Sequence, residues 1–415
     1  MRTRFLDGLR GVAALTVVFD HYWFAYFPVA IGATNDPSHH AYEWVIRQTP
    51  LYILFNGNFA VCLFFILSGF VLSQRFFRTG EGFDLVPTIA KRYARLWLPA
   101  AGAILLAYWM MKLGLTFNQR AAFQSGSDWL QGLWGFTPTF HQAVVEAGQT
   151  FFLDSHNFDG PLWTMHIELW GSLMVFGLVT LFTKYTNRLA VYVLLGGLLW
   201  QTYYVCFVIG IALCDVVHSE YYDKIKARIG SSGWVLLLVG LYFGAMPSGP
   251  LEHTLYAPLS IMTSTTIAQL VIEAHILGAA FVLGGVLTTV GVQNWLNSRP
   301  AQFLGTISFS LYLLHFIILA SFSSYLFYYL IVGGHGYRAS FIIMLIPSLI
   351  LIFTSAYLYA KYVDAGAIAA SKRVYSGVAA INRRWQIRRR GRKLAIESTS
   401  NQPVAPPIVA VKAAE

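Results

Sequence analysis

The chain has 415 residues, of which 56% are hydrophobic and only 12% are charged, and its formal net charge is +10. Soluble domains carry about 25% charged residues, so a soluble protein of this composition would have a largely apolar surface. The composition therefore excludes an ordinary soluble enzyme and predicts a polytopic, all-α integral membrane protein, for which the lipid bilayer is the solvent.

Ten apolar runs approach the length of about 20 residues that a helix needs to cross a bilayer. The fifth and the sixth are short and almost continuous, so they form either a tight helical hairpin or one broken span. We predict about ten transmembrane helices, near residues 8–28, 55–74, 96–113, 162–182, 189–202, 203–218, 233–247, 267–290, 304–332 and 339–361.

The distribution of Lys and Arg predicts the orientation of these spans. When both termini are placed in the cytosol, only Arg47, Lys112, Arg120 and Arg338 fall in outer segments, and every other Lys and Arg falls in an inner segment. Cytosolic segments of membrane proteins carry such an excess of positive charge. The bias therefore predicts cytosolic termini and an even number of spans.

The composition changes near residue 365 and divides the chain into a predicted transmembrane domain, residues 1–365, and a cytosolic tail, residues 366–415. The tail holds a basic run over 382–393, which would bind anionic lipid with about 1 kcal/mol per Lys or Arg. A Ser-, Pro- and Ala-rich end follows and predicts disorder. Beside ten predicted spans, the basic run does not favour a nucleic-acid-binding function.

Ionisable side chains inside the predicted spans are the first candidates for function, because each costs about 2.5–3.5 kcal/mol at the centre of a helix. Arg10 and His21 are eleven residues apart, which on a helix is about three turns and about 16 Å of rise. One face of the first span thus carries an anion binder towards the cytosol and a base above it. Alternatively, Arg10 is an interfacial anchor and His21 a packing residue.

Glu168 enters the fourth span from the outer side, at a depth similar to that of His21. A carboxylate there can orient or charge-stabilise a histidine, or bind an acceptor sugar. The alternative is a carboxylate in a water-filled vestibule without a chemical role. His166 and Glu168 form a His-x-Glu pair, but the cysteines that complete a zinc deaminase site are missing. We therefore predict no metal.

A basic cytosolic loop and a polar ninth span complete the set of candidates. The segment from Arg75 to Arg95 contains five cations with both ends included, and Arg binds phosphate in a bidentate geometry. Ordinary positive-inside charge is the alternative interpretation of this loop. In the ninth span, His315 follows Tyr312 by about one turn, which is consistent with either catalysis or a structural hydrogen bond.

Five segments, taken in order and at their spacing, resemble the acyltransferase-3 family of membrane acyltransferases, and the resemblance extends over about residues 4–362. They are Leu6-Asp-Gly-Leu-Arg-Gly11 with the Arg10–His21 spacing, Phe64-Phe-Ile-Leu-Ser-Gly-Phe70, Arg92-Tyr-Ala-Arg-Leu96, Leu162-Trp-Thr-Met-His-Ile-Glu168 and Leu304-Gly-Thr-Ile-Ser-Phe-Ser-Leu-Tyr-Leu-Leu-His315.

The resemblance implies a multi-pass protein of the plasma (inner) membrane that transfers an acyl group, usually acetyl, from cytosolic acyl-coenzyme A to a hydroxyl of a carbohydrate or lipid-linked glycan. His21 would be the catalytic histidine, and Glu168 would support it or lie near the acceptor. Arg10, Arg92 and Arg95 would hold the donor. Further site candidates within the matching segments are Trp163, Tyr312 and His315.

In the mechanism that we predict, the phosphates of coenzyme A lie against the loop from Arg75 to Arg95, and the pantetheine arm passes Arg10. His21 then deprotonates the acceptor hydroxyl, or it carries the acyl group as an acyl-histidine. The rival function is a transporter or flippase of lipid-linked sugars, because intramembrane Arg, His and Glu also suit a substrate path. The sequence shows no paired broken helices in favour of that rival.

Overall fold

The structure, a computed structural model, describes residues 4–31, 38–183, 185, 187–229, 232–261 and 266–400, and every regular element in these residues is a helix. The helices are α1 (Arg4–Tyr26), α2 (Tyr42–Gln48), α3 (Gly57–Thr79), α4 (Leu85–Lys112), α5 (Asn118–Ser125), α6 (Asp128–Gly132), α7 (Phe140–Gln149), α8 (Trp163–Phe182), α9 (Arg188–Leu198), α10 (Tyr204–Val217), α11 (Tyr222–Ile229), α12 (Gly233–Gly244), α13 (Ala257–Ile261), α14 (Ile267–Thr288), α15 (Val290–Leu296), α16 (Arg299–Ile318), α17 (Ser324–Val332), α18 (Tyr337–Tyr359) and α19 (Ala365–Ser400). Single π-helical turns, Leu319–Ser323 and Ala360–Asp364, join α16 to α17 and α18 to α19.

A helix lies at each of the ten predicted apolar runs, but fewer than ten of these helices are long and apolar enough to cross a membrane. In the described part of the chain there are six, or up to seven if a bent pair counts as one span: Gly57–Thr79, Leu85–Lys112, Gly160–Phe182, Ile267–Thr288, Arg299–Val332 and Tyr337–Arg388, with α10 and α11 as the bent pair. Helices α9 and α12 are apolar but short. The count of ten and the cytosolic termini therefore stay predictions.

The region of residues 189–218, where the sequence left two alternatives open, contains two separate helices. Helix α9 ends at Leu198, and α10 begins at Tyr204 and is bent by 97° from α11. The helical structure is therefore interrupted twice in this region. The first interruption, between α9 and α10, separates the fifth apolar run from the sixth, and the second, between α10 and α11, follows the sixth run.

Helices α1 and α16 pack side by side and run in the same direction. The Gln302 side chain donates a hydrogen bond to the Arg4 carbonyl oxygen at 2.8 Å, which aligns the two N-termini. Further along, Gly11 faces Gly305 so closely that a side chain on either glycine would overlap the backbone of the other helix. Small residues permit such close approach between helices in membranes. Residues at matching heights on α1 and α16 are consequently neighbours.

Helix α3 lies at the centre of the bundle and contacts α1, α8, α10 and α14. Its first turn is capped twice, because the Asn56 side chain accepts a hydrogen bond from the Phe59 amide and Asp20 of α1 accepts one from the Gly57 amide. Carboxylates are stabilising at helix N-termini. Asp20, which points away from the Arg10–His21 face, thus fixes α1 against α3.

The C-terminal helix α19 continues from α18 and packs along α4. The Asn382 side chain donates a hydrogen bond to Asp84 Oδ1 at 3.1 Å. The domain boundary predicted at residue 365 therefore falls inside a continuous helical segment. Helix α19 extends to Ser400, past the end of the basic run at residue 393 where the sequence predicts disorder, and residues 401–415 lie outside the described residues.

The segment between α7 and α8 is organised by two buried carboxylates. Glu146 accepts hydrogen bonds from the Phe158 amide at 2.8 Å and from the Asn157 side chain at 2.9 Å. Asp159 is fully buried, and neither of its carboxylate oxygens has a hydrogen-bond partner among the described residues. Burial raises the pKa of Asp159 well above its ordinary value, and the neighbouring Glu146 carboxylate adds to this.

The close packing of α1 on α16 predicts a penalty for Gly305→Ala. The added methyl group would force the two helices apart at about 1–3 kcal/mol. The matched control is Gly177→Ala in α8, where a methyl group meets no atom within 4 Å and a gain of about 0.5–1 kcal/mol is expected from the better helix former. Thermal unfolding in detergent should give shifts of opposite sign, and equal shifts would contradict the packing argument.

The burial of Asp159 predicts that it destabilises the fold as the pH rises. A raised pKa in the folded state means that the stabilising, protonated form is fully present below the ordinary pKa of 3.8 and is lost as the pH rises towards the folded value. Asp159→Asn should therefore gain stability over wild type with rising pH, by up to about 1.4 kcal/mol per pH unit. Melting temperatures between pH 5 and 8 test this, with the exposed Asp128→Asn as control. A stability difference between Asp159→Asn and wild type that does not change with pH would refute the raised pKa of Asp159.

Candidate active site

Two cavities adjoin the paired helices α1 and α16. The first, which we call the arginine cavity, has a volume of about 240 Å³, and its polar lining residues are Asp7, Arg10, Ser68, Arg92, Arg95, Thr164, Glu168, Thr306, Ser308, Tyr312 and Asp364. The second, the histidine cavity, has a volume of about 390 Å³ and is lined by His21, Trp129, Gly132, Leu133, Trp134, Gly135, Phe136, His156, Asn157, Gly160, Trp163 and Phe316.

Arg10 is held in the arginine cavity by α16. Its Nε donates a hydrogen bond to Ser308 Oγ at 3.0 Å, and its Nη2 donates one to the Gly305 carbonyl oxygen at 3.1 Å. Asp7, one turn earlier on α1, lies 3.2 Å from the same Nη2. The guanidinium group is therefore fixed by both helices of the pair.

Arg92 and Arg95, one turn apart on α4, line the same cavity and have different carboxylate partners. Arg92 forms an ion pair with Glu168 of α8, and Ser68 of α3 donates a hydrogen bond to the same carboxylate at 2.6 Å. Arg95 is bidentate to Asp364, with a second contact of 3.0 Å from Nη2 to Oδ2. Paired, preorganised guanidinium groups at a cavity wall are suited to bind an anionic ligand.

Arg75, the fourth cation expected to hold the donor, is not part of this cavity. Its side chain is 57% exposed, and it forms an ion pair with Glu81 at 2.9 Å. The positive-inside interpretation suits Arg75, whereas Arg92 and Arg95 point into the bundle.

His21 lies at the wall of the histidine cavity against His315. The distance between His21 Nδ1 and His315 Nε2 is 3.0 Å. The His21 ring stacks on Trp129, with 5.6 Å between ring centroids, and meets the edge of Phe316 at 5.9 Å. Trp163 lines the same cavity and packs against Tyr203. The structure therefore places His21 in contact with His315 and in one cavity with Trp163.

Glu168 is not bonded to His21 among the described residues, although support of His21 was one of the two roles expected for it. Within the described residues, His21 makes its hydrogen bonds to the Val17 carbonyl oxygen and to His315, whereas Glu168 accepts from Arg92 and Ser68. The two side chains line different cavities. The predicted similarity in depth thus did not bring Glu168 into hydrogen-bonding contact with His21.

A layer formed by the start of α8 and the middle of α16 lies between the two cavities. Tyr312 donates a hydrogen bond to the Pro161 carbonyl oxygen at 2.6 Å and makes another with Thr164 at 2.8 Å. Tyr312 and Thr164 line the arginine cavity, whereas Phe316, about one turn after Tyr312 in α16, and Gly160, four residues before Thr164 and just ahead of α8, line the histidine cavity. A cavity lined by three arginines and a cavity lined by His21 thus lie on opposite sides of one layer of side chains.

Several residues of these cavities were missed by sequence reasoning. Ser68 and Ser308 occur in segments that carry the family resemblance, and their hydroxyl groups within apolar runs were the available signal. Asp364 and Trp129 lie outside those segments and gave no comparable signal. In the part of the chain that the structure describes, no group of three or more His, Cys, Asp or Glu residues is arranged to hold a metal ion.

Comparison with known proteins identifies the family. The family model described as an acyltransferase domain, that of the acyltransferase-3 family, matches residues 3–360. Similar proteins include acyltransferase clz18 of Cochliobolus lunatus, which is 25% identical over 77% of this chain and 83% of its own length. Acyltransferase R4 of Phoma sp. (strain ATCC 20986 / MF5453) is 24% identical over 77% of this chain and 83% of its own.

A third relative, O-acetyltransferase PaAT-1 of Phomopsis amygdali, is 23% identical over 90% of this chain and 84% of its own length. No solved structure matches the chain. The family match covers most of the chain, and the described helices include several that are apolar and long enough for a membrane. The chain therefore belongs to the acyltransferase-3 family and is a membrane acyltransferase.

Proposed function

We propose that this acyltransferase moves an acyl group, acetyl in the simplest case, from acyl-coenzyme A in the arginine cavity to a hydroxyl of a carbohydrate or glycolipid acceptor in the histidine cavity. The observation that carries the proposal is the arrangement of Arg10 and His21 on one face of α1, each lining one of the two cavities. The protein would be a multi-pass protein of the plasma membrane, with the donor entering from the cytosol.

The lining of the arginine cavity supports a coenzyme A donor. Phosphate groups match the fork of the three guanidinium groups. Apolar side chains, among them Leu6, Val61, Phe64, Phe65 and Leu72, provide a surface along which the less polar pantetheine arm would lie. The name of the relative PaAT-1, an O-acetyltransferase, favours acetyl as the group to test first.

The lining of the histidine cavity supports a neutral acceptor that carries rings. Three Trp and two Phe line it, and its polar residues are His21, His156 and Asn157, with no Lys, Arg, Asp or Glu among the described lining residues. Aromatic rings supply large, rigid contact surfaces with a defined geometry. The apolar faces of sugar rings would pack on such surfaces, while Asn157 and His156 reach the hydroxyl groups.

In the direct route, the acyl end of the donor would extend past the layer of Tyr312 and Thr164 to His21. His21 Nε2 accepts the proton of the acceptor hydroxyl while the hydroxyl oxygen attacks the thioester carbonyl carbon. The carbon–sulfur bond then breaks, and the thiolate of coenzyme A takes the proton from His21. In the second route, His21 Nε2 attacks the thioester carbonyl carbon, the carbon–sulfur bond breaks, and the thiolate of coenzyme A leaves an acyl-histidine. The acceptor hydroxyl then attacks the acyl carbon, the carbon–nitrogen bond breaks, and the hydroxyl proton passes to the thiolate. Ping-pong kinetics would identify the second route, and a strictly ternary mechanism the first.

The transporter hypothesis receives less support. A flippase needs neither an anchored acyl donor nor a base, whereas family membership and the Arg10–His21 arrangement both agree with acyl transfer. Dependence of activity on acyl-coenzyme A separates the two functions.

The central prediction is the loss of acyl transfer in His21→Ala. Purified wild-type protein should transfer radiolabelled acetyl from acetyl-coenzyme A to extracted cell-envelope glycans, and the variant should be slower by about 10²–10⁴-fold, the usual contribution of a general base. The exposed His141→Ala in α7 is the matched control and should keep full activity. Unimpaired transfer by a folded His21→Ala protein would refute the proposal.

The donor site predicts different effects for two arginine-to-lysine changes. Arg92→Lys keeps the charge but loses the planar fork, and a lost charge-assisted hydrogen bond of about 1.5–3 kcal/mol corresponds to a KM for acyl-coenzyme A raised about ten-fold or more. Arg75→Lys, the control outside the cavity, should change that KM by less than about two-fold, in line with the small contribution of exposed ion pairs. An equal increase in the KM for acyl-coenzyme A in both variants would place the donor on the surface loop instead.

A further inference from the structure

The pair of His21 and His315 has a hydrogen-bonding pattern that defines where the protons lie. Each imidazole Nδ1 lies 3.0 Å from the carbonyl oxygen four residues earlier on its own helix, which is Val17 for His21 and Leu311 for His315. His315 Nε2 lies 3.0 Å from His21 Nδ1. The rings are tilted by 45°, with 5.0 Å between centroids.

The carbonyl of Leu311 can only accept, so Nδ1 of His315 must carry the proton. In a neutral ring Nε2 then holds a lone pair, and the partner that it contacts has to donate. That partner is His21 Nδ1, which must therefore carry a proton shared between His315 Nε2 and the Val17 carbonyl oxygen. A neutral His21 with a proton on Nδ1 has its lone pair on Nε2.

The two histidines differ in their access to the cavities in which substrates would bind. His21 is partly exposed and lines the histidine cavity, and its Nε2 has no hydrogen-bond partner in the described part of the chain. His315 is fully buried and lines neither cavity. His315 therefore has no access to a substrate, and any effect on the reaction must pass through His21.

We infer that His315 is a positioning residue that holds His21 in the tautomer with Nδ1 protonated and Nε2 free to accept the proton of the acceptor hydroxyl. When His21 becomes an imidazolium during the reaction, its Nδ1–H still donates to the lone pair of His315 Nε2, so the same contact stabilises the charged form. In serine hydrolases a carboxylate has this role. Here the neutral imidazole of His315 accepts the hydrogen bond of His21 and adds no permanent charge inside the bundle, where charges are costly.

The inference rests on the proposed function, since it gives the base in that reaction a definite protonation state. It is tested with three replacements of His315. Glutamine places an amide oxygen near the position of Nε2 and can still accept from His21. Asparagine places its amide near Nδ1, where it satisfies the Leu311 carbonyl but does not reach His21. Leucine keeps bulk without any hydrogen bond.

We expect His315→Gln to keep kcat within about ten-fold of wild type, and His315→Asn and His315→Leu to lose about 10²-fold or more, the scale of general-base catalysis. The KM values for acyl-coenzyme A and acceptor should stay within about two-fold in all three, because His315 contacts neither cavity. Equal activity of the Gln and Asn variants, or a change in KM with unchanged kcat, would show that His315 only fills space.

A spectroscopic measurement covers the case in which the variants fail to fold. Nitrogen-15 NMR of the neutral wild-type protein, with the His21 signal identified by its loss in His21→Ala, should show a protonated Nδ1 and an unprotonated Nε2. A protonated Nε2 on His21 would overturn the inference. Failure of the proposed function itself has a different signature: the wild-type protein would transfer no acyl group, or His21→Ala would transfer it normally.

Discussion

The close, parallel packing of α1 on α16 is the constraint on which both halves of the site depend. Because Gly11 and Gly305 leave no room for side chains, the backbones approach directly and the register of the two helices is fixed. Arg10 then meets the α16 backbone, and His21 meets His315 nearly three turns higher. A shift of one helix by a single turn would separate both pairs, so the positions of Arg10 and His21 are set by the same contact between α1 and α16.

In the arginine cavity, the cost of placing charged groups inside the membrane is offset by pairing each guanidinium group with a carboxylate. Three guanidinium groups face three carboxylates, from Asp7, Glu168 and Asp364, and the lining is formally neutral. Two of these pairs join separate helices, so the charges also specify which helices assemble. An anionic donor would therefore find little net attraction and would depend on bidentate geometry and on apolar contacts along the cavity, which makes the shape of the guanidinium fork more important than its charge.

Helical periodicity predicted much of this arrangement, because it acts within one helix. The eleven-residue spacing of Arg10 and His21 indicated a shared face, and each apolar run became a helix. Periodicity does not reveal which helix lies opposite, so Glu168 was one candidate to support His21, and the contact of His21 with His315 was not foreseen. Arg75 and Arg92 looked alike in the sequence because both lie in one basic loop. In the structure Arg92 lies on α4 and pairs with Glu168 of α8, whereas Arg75 lies near the end of α3 and forms an exposed ion pair with Glu81.

The choice of a histidine rather than a carboxylate beside His21 follows from this charge balance. Glu168 already neutralises Arg92, and if it moved to His21 the guanidinium group would be left without its carboxylate partner. Breaking a buried ion pair in this way costs about 3–5 kcal/mol. A further carboxylate at position 315 would bring an unpaired negative charge into a fully buried position. A neutral imidazole avoids both costs and still offers a lone pair to His21, so the pairing of the two histidines is the arrangement that is compatible with the ion pairs of the neighbouring cavity.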